Sequence, residues 1–155
     1  MIRVLFVCLG NICRSPMAEA IMRDVVVKEN LSDKIEIDSA ATAAYHIGKP
    51  PHHGTQSKLQ EYGISTTGMK ARQLKQEDFD QFDYIIGMDE SNIRNIHAIL
   101  GKKDDSKIFR FLDLTDHQKD VPDPYYTGDF QETYDLVIDG CQALLQKIKQ
   151  EHKLL

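Results

Sequence analysis

The chain has 155 residues, of which 41% are hydrophobic and 28% are charged. This is the composition of an ordinary globular protein, long enough to bury a core without metals or disulfides. The formal net charge of -5 at pH 7 argues against nonspecific binding to nucleic acid or to an anionic membrane. Because no repeat, low-complexity tract or linker interrupts residues 1–155, we expect a single domain.

The first apolar run, residues 4–8, is too short for the apolar region of a signal peptide and far too short to span a membrane. The three cysteines include no CxxC pair, so the sequence does not indicate a disulfide framework. We therefore expect a protein of the reducing cytoplasm.

Strand and helix patterns alternate along the chain. Short runs rich in apolar, often β-branched or aromatic residues predict strands at 2–7, 35–39, 82–88 and 107–112. Apolar residues at helical spacing predict helices from residue 15, over 55–62, over 91–100 and after residue 129. This alternation predicts an α/β fold, a doubly wound, four-stranded parallel sheet with helices on both faces.

Three local signals mark helix ends. Ser15 followed by Pro16 predicts the start of the first helix, with the serine as its side-chain cap. Gly63 predicts the end of the second helix. Asp129 and Glu132 have the spacing of a capping box at the start of the last helix.

The loop after the first strand reads CLGNICRS over residues 8–15. Ligands of doubly wound folds bind beyond the carboxyl ends of the strands, where this loop is expected. Its backbone N–H groups and those of the following helix can surround a phosphate, and Gly10 is expected to permit the curl. Arg14 can hold two phosphate oxygens, while the same positive potential favours a thiolate at Cys8, to which Ser15 can donate a hydrogen bond.

The loop sequence is also compatible with other structures. The spacing also fits a buried structural cysteine followed by a surface arginine. A nucleotide-binding loop is not indicated, because the chain lacks GxxxxGK followed by serine or threonine.

The segment CLGNICRSPMAEA at 8–20 resembles the signature of the low-molecular-weight protein tyrosine phosphatases. The similarity continues in the family's order through SAAT at 39–42, KARQ at 70–73, FDYIIGMDESN at 82–92 and DPYY at 123–126. The resemblance implies a four-stranded parallel sheet with helices on both sides. It also implies an enzyme that hydrolyses phosphotyrosine in proteins, and small aryl phosphates, through a phosphocysteine intermediate without a metal or other cofactor.

The resemblance also assigns a role to individual residues. Cys8 corresponds to the nucleophile, Arg14 to the phosphate-binding arginine and Asp123 to the general acid and base. Such an acid is needed because phenolate leaves more readily when it is protonated as its bond to phosphorus breaks. The supporting residues implied are the backbone cradle Leu9, Gly10, Asn11, Ile12 and Cys13, the loop-holding Asn11 and Ser39, the aromatic walls Tyr45, Tyr125 and Tyr126, and the bracing Asp89.

Two positions depart from the family's pattern. Met69 stands where many relatives carry histidine, so a hydrogen-bonding role there is absent or replaced. His52 and His53 replace the more usual Asp and Arg pattern in a loop that borders the pocket, which puts substrate preference in doubt. Adjacent histidines without a third ligand are expected to be solvated loop residues, so no metal is predicted.

Rival functions on the same fold remain open. An arsenate reductase needs further cysteines to relay a disulfide. Cys141 is not expected to serve in such a relay, because it lies on the apolar stripe of the last helix and is expected to pack in the core. An arginine phosphatase carries threonine where this chain has Ile12. A catalytically dead phosphate-binding module conflicts with the presence of Cys8, Arg14 and Asp123.

Cys13 is not required for hydrolysis. It either fills space beneath the loop or traps an oxidised Cys8 as a reversible disulfide.

Overall fold

The computed structural model describes residues 1–101 and 106–154 and contains one sheet of four parallel strands in the order β2-β1-β3-β4. Its strands are β1 (Ile2–Cys8), β2 (Ile35–Ala41), β3 (Tyr84–Gly87) and β4 (Ile108–Arg110). The helices of the described residues are α1 (Arg14–Lys28), α2 (His53–Glu61), α3 (Asp78–Gln81), α4 (Glu90–Leu100), α5 (Pro124–Thr127) and α6 (Phe130–His152), with a 3-10 turn at Phe111–Leu114.

The central strand β1 is buried on both faces. Val4 and Phe6 point into the larger core, where α1 and α6 cover the sheet. Leu5 and Val7 point into a smaller core covered by α4. Successive side chains of a strand point to opposite faces, so a continuous apolar run such as 4–8 fits a strand buried on both sides. The predicted α/β fold with helices on both faces is confirmed.

The topology brings the ends of two strands together. The chain leaves β1 for β2 on one side and later passes from β3 to β4 on the other, so the winding reverses between β1 and β3. Ligands of doubly wound sheets bind at this reversal. Cys8 ends β1, and Asp89 follows β3 directly after Met88, so both residues lie at this edge of the sheet.

The predicted start of α1 lies two residues too late, and the capping role predicted for Ser15 is wrong. The helix begins at Arg14, its N-cap is Cys13, and no side chain caps it. Ser15 is fully buried inside the first turn, where its hydroxyl bonds Cys8 and Asn11 instead. A serine before a proline carries the cap signal, but the loop's own contacts decide where the helix starts.

Other boundaries move by a few residues. The predicted strand 82–88 shortens because Phe82 ends α3, and the predicted strand 107–112 gives way to the 3-10 turn. The end of α2 at Gly63 is confirmed, since Gly63 follows the C-cap with a left-handed φ of 73°. The Asp129 carboxylate accepts from the Glu132 N–H and caps α6, but the predicted capping box is only half formed, because the Asp129 N–H donates to Thr127. Helices α3 and α5 have four residues each, too few to show a helical period in the sequence.

Candidate active site

The loop of residues 9–13 connects β1 to α1 and curls at Asn11. Asn11 has the left-handed φ of 56°, whereas Gly10 does not have a left-handed backbone. The predicted reason for Gly10 is therefore wrong. A Cβ atom at Gly10 would lie 2.9 Å from Cδ2 of His46, so the glycine is needed for the close approach of that ring. Asparagine tolerates the left-handed conformation better than most residues.

The Cys8 thiol is held among donors at the bottom of this loop. Cys8 is only 3% exposed. Its Sγ accepts from the backbone N–H of Asn11 at 3.3 Å and lies 3.0 Å from Oγ of Ser15. Helix α1 starts immediately after the loop without a side-chain cap and without an acidic residue in its first turn. Uncapped helix N–H groups favour anions, and hence a thiolate or a phosphate, at this position.

Asn11 and Ser39 tie the loop to β2. The Asn11 amide donates to Oγ of Ser15 at 2.8 Å and to Oγ of Ser39 at 2.9 Å. Its oxygen accepts the backbone N–H of Arg72 at 3.0 Å. Both amide hydrogens of Asn11 are therefore donated, and its amide oxygen also has a partner. The contacts match the loop-holding role predicted for Asn11 and Ser39.

Arg14 is buried beside the loop and oriented by two further segments. Its guanidinium donates to Asp89 at 2.7 Å and to the carbonyl of Val121 at 2.9 Å, and lies 3.4 Å from Asp123. Burial alone would lower the pKa of Arg14, but the nearby Cys8, Asp123 and Asp89 raise it above its ordinary value. Within the described residues, its Nε is buried without a hydrogen-bond partner. A fixed cation with an unused donor suits an incoming anion.

Asp123 begins the short helix α5. Its Oδ1 accepts the backbone N–H of Tyr125 at 3.0 Å, and Pro124 occupies the first helical position. Its Oδ2 is the oxygen that faces Arg14. The side chain is 22% exposed, so the carboxyl group reaches both the cavity and solvent.

A cavity of about 350 Å³ opens above the loop. The residues that line it are Cys8, Leu9, Gly10, Ile12, Cys13, Arg14, Tyr45, His46, Asp123, Tyr125 and Tyr126. The three tyrosines are 54% to 75% exposed, so they form the rim, while Ile12 contributes a buried apolar surface. Every predicted wall residue is thus brought to one cavity with Cys8, Arg14 and Asp123.

A larger cavity of about 760 Å³ follows the edge of β2 and shares no lining residue with the first. Several of its charged lining residues form ion pairs with one another, including Arg3 with Glu36 and Arg72 with Asp78. Since it contains neither a cysteine nor a histidine, we place the chemistry in the smaller cavity.

The other two cysteines differ from Cys8. Burial, reinforced by Asp123 and Cys8, raises the pKa of Cys13 to about 12. Burial also raises the pKa of Cys141, which lies in the larger core. Cys141 therefore packs in the core as predicted, away from the cavity lining. Cys13 is fixed by Thr55, whose hydroxyl donates to the Cys13 carbonyl at 3.1 Å.

The paired histidines have different environments. His52 is half-buried and caps α2 by accepting the Gly54 N–H at 3.0 Å. Its ring stacks on His53 and on Phe130, and burial together with the neighbouring His53 and His46 lowers its pKa. The predicted solvated position is therefore wrong for His52. His53 is exposed as predicted, but it begins α2 and does not lie in a loop.

Residues 1–101 and 106–154 contain neither a candidate metal site nor a candidate membrane-spanning helix. No group of three or more His, Cys, Asp or Glu side chains there could hold a metal ion. No helix in those ranges combines the length and the apolar content needed to cross a bilayer.

Four contributors to the site were not predicted from sequence. They are His46, which lines the cavity, Arg72, which fixes Asn11, the Val121 carbonyl, which orients Arg14, and Glu19, which binds Ser39. Glu19 and Arg72 lie within the motifs at 8–20 and 70–73, but their residue types alone do not indicate a role in the site. The Val121 contact uses a backbone atom, which no side-chain pattern can indicate.

The model of the low molecular weight phosphotyrosine protein phosphatase family matches residues 3–154. The chain belongs to this family. The protein-tyrosine-phosphatase YfkJ of Bacillus subtilis is 54% identical, covering 99% of this chain and 100% of the relative. PtpA of Staphylococcus aureus, also a low molecular weight protein-tyrosine-phosphatase, is 43% identical, covering 99% and 98%. The predicted family and the predicted enzyme class, a protein-tyrosine-phosphatase, are therefore confirmed.

Solved structures agree with the fold. The crystal structure of YfkJ superimposes with a TM-score of 0.94 over 97% of this chain and 96% of that one. A Drosophila arginine phosphatase, 34% identical, superimposes with a TM-score of 0.84 over 96% and 98%. Because both names occur on one fold, the residues of the cavity have to distinguish the substrates.

Proposed function

We propose that this phosphatase hydrolyses phosphotyrosine in proteins through a phosphocysteine intermediate on Cys8. One observation carries the proposal. A thiol from the end of β1, a guanidinium from α1 and a carboxyl group from the start of α5 converge on one cavity with an aromatic rim. The three groups match the nucleophile, the anion clamp and the proton donor that the reaction needs.

In the first step the Cys8 thiolate attacks phosphorus. A sulfur–phosphorus bond forms while the bond from phosphorus to the tyrosine oxygen breaks, and protonated Asp123 gives its proton to that oxygen. The Asn11 N–H and Ser15 hydroxyl hold the sulfur in place at 3.3 and 3.0 Å. Because Asp123 is partly exposed at the cavity mouth, it can reach the leaving oxygen.

In the second step water replaces the sulfur. The Asp123 carboxylate takes a proton from water, oxygen bonds to phosphorus, and the sulfur–phosphorus bond breaks. Phosphate leaves and the Cys8 thiolate is restored. No redox partner, metal or other cofactor enters this balance.

Arg14 stabilises the charge that develops on the transferring phosphoryl group. Asp89 and the Val121 carbonyl hold its NH1 atom, which leaves Nε and the partly engaged NH2 to face the equatorial oxygens. Preorganised donors of this kind cost no reorganisation when the transition state forms. A lysine could not present two such donors in one plane.

The cavity favours an aryl phosphate. The rim tyrosines can flank a phenyl ring, and Ile12 presents an apolar side chain rather than a hydroxyl. Aromatic pairs of this kind contribute about 0.5–1.5 kcal/mol beyond area burial. A phosphoserine would leave most of the rim unfilled. A phosphoarginine would find no hydroxyl at residue 12 for its guanidinium.

The test compares peptides that carry phosphotyrosine, phosphoserine and phosphoarginine, without added metal. We expect turnover of phosphotyrosine to exceed the other two, and Ile12→Thr to narrow the gap to phosphoarginine. Faster hydrolysis of phosphoarginine by the unaltered chain would replace the proposal with an arginine phosphatase.

A second test addresses the nucleophile. Cys8→Ser should abolish turnover, because a serine hydroxyl stays protonated where a thiol ionises. The matched control is Cys141→Ala, which removes a cysteine outside the cavity and should retain turnover once folding is verified. Substantial hydrolysis by Cys8→Ser would remove Cys8 as the nucleophile.

The same chemistry bears on the location of the enzyme. All three cysteines are free thiols, and the reaction needs Cys8 to stay reduced. We infer that the enzyme works in the cytoplasm, where thiols are kept reduced.

A further inference from the structure

A chain of hydrogen bonds runs from the nucleophile to a buried carboxylate beyond the loop. It passes from Cys8 to Ser15 at 3.0 Å, to Asn11 at 2.8 Å, to Ser39 at 2.9 Å and to Glu19 at 2.5 Å. Every member is at most 5% exposed. The proposed reaction uses the first part of this chain, but it assigns nothing to Glu19.

The orientation of the Asn11 amide determines which way the hydrogen bonds of this series point. Its Oδ1 faces the backbone N–H of Arg72 at 3.0 Å, and an N–H group can only donate. The Arg72 side chain is itself held by two bonds to the buried Asp78, at 3.0 and 3.1 Å. The NH2 group of Asn11 therefore has to face the two serines.

Each serine then has one proton left to donate. Ser15 and Ser39 both accept a hydrogen from Asn11, and a hydroxyl has a single donor. When Cys8 is a thiolate, Ser15 directs its proton to Sγ, because a thiolate can only accept. Ser39 directs its proton to Oε1 of Glu19, which accepts it as a carboxylate.

The surroundings of Glu19 act on its pKa in opposite directions. Burial, reinforced by Asp38, raises the pKa of Glu19, while Ser39, Arg23 and Arg72 act in the opposite direction. Its second oxygen, Oε2, pairs with Arg23 at 2.5 Å. A protonated or amidated residue 19 could itself donate to Ser39, and the Ser39 oxygen would then no longer be held as an acceptor for Asn11.

We propose that Glu19 is a positioning residue for the phosphatase reaction, an inference that rests on the proposed function of Cys8. As a pure acceptor, it fixes the hydroxyl of Ser39 with its oxygen towards Asn11, and so helps to hold the Asn11 amide in the position from which it donates to Ser15. The hydrogen bond to Cys8 favours its thiolate, so Glu19 tunes the nucleophile from the far side of the loop without contacting substrate.

The test measures how fast iodoacetamide alkylates Cys8 as a function of pH, with the modified peptide identified by mass spectrometry. We expect Glu19→Gln to move the midpoint of this profile upward by about one pH unit, the equivalent of weakening one hydrogen bond to an anion. A purely Coulombic effect has the opposite sign, because removing a negative charge would make the thiolate easier to form. An unchanged or lowered midpoint would overturn the proposal.

Double variants locate the path of the effect. Ser15→Ala removes the last donor of the chain, so adding Glu19→Gln to it should move the midpoint no further. Independent, additive shifts would show that Glu19 does not act through Ser15. The matched control is Glu36→Gln on β2, which removes the same charge from an exposed pair with Arg3 and should leave the profile unchanged.

Two further measurements separate this inference from folding and from the proposed function. If Glu19→Gln does not fold, Ser39→Ala is the alternative variant, because it breaks the same series of hydrogen bonds and should also raise the midpoint of alkylation. An unchanged midpoint in Ser39→Ala would also overturn the proposal. Alkylation needs no substrate, so it reads the thiol even if the enzyme acts on another phosphoester. In turnover, Glu19→Gln should lower kcat/KM on the acid side of the profile and approach the parent enzyme at higher pH, a change that a general loss of stability would not produce.

Discussion

Replacement of Asp123 by asparagine isolates the proton transfer from the structure around it. The Asp123 Oδ1 atom accepts the Tyr125 N–H at 3.0 Å, and the Oδ1 atom of asparagine can do the same. Asparagine and aspartate are equally good N-caps, so α5 and its two tyrosines should stay in place. The contact with Arg14 at 3.4 Å is long, so its loss should change stability little.

The chemical loss should therefore dominate. We expect Asp123→Asn to slow the hydrolysis of phosphotyrosine by about 100- to 10,000-fold, the contribution of one general acid. The loss should shrink for aryl phosphates whose leaving group needs little protonation, such as p-nitrophenyl phosphate.

The assay measures kcat/KM across aryl phosphates that differ in leaving-group basicity, for the parent enzyme and for Asp123→Asn. Asp123→Ala is the companion variant, since it also removes the cap and should add about 1 kcal/mol of destabilisation. An equal loss across all leaving groups would show that Asp123 is not the proton donor.

Three more outcomes follow from the packing of the site and the core. Arg14→Lys should lower kcat/KM for an aryl phosphate by about 100- to 1,000-fold, since the point charge of lysine cannot replace the planar, two-donor guanidinium. Near-normal kinetics would show that Arg14 does not bind the phosphoryl group in this way. Gly140→Ala should lower the thermal midpoint although alanine favours helices, because the new Cβ would lie 2.5 Å from the Phe111 ring; a raised midpoint would contradict this packing. Peroxide should inactivate the enzyme and dithiothreitol should restore it through a Cys8–Cys13 disulfide, whereas Cys13→Ser should recover poorly; equal recovery of both, with no linked peptide by mass spectrometry, would leave Cys13 as packing.

Several features of the protein follow from the sequence alone. The apolar run of β1, the loop with Cys8 and Arg14, and the helical period after it predict a strand, a phosphate cradle and a helix without any tertiary information. Each of these is local, because strand burial, loop composition and helix periodicity are written within about 20 neighbouring residues. The roles of Asp123 and the rim tyrosines came from a resemblance to a family, since an Asp-Pro pair by itself indicates only a turn.

Only the tertiary structure decided how the site is held. Ser15 carries a helix-cap signal in the sequence, yet it lies inside the helix because Cys8 and Asn11 compete for its hydroxyl. Gly10 is required by the ring of His46, a contact across 36 positions of the sequence. The link from Asn11 to Ser39 and Glu19 crosses from the loop to β2 and α1. Such contacts depend on which side chains the folded sheet brings within about 3 Å of each other, and no local period or propensity specifies that distance.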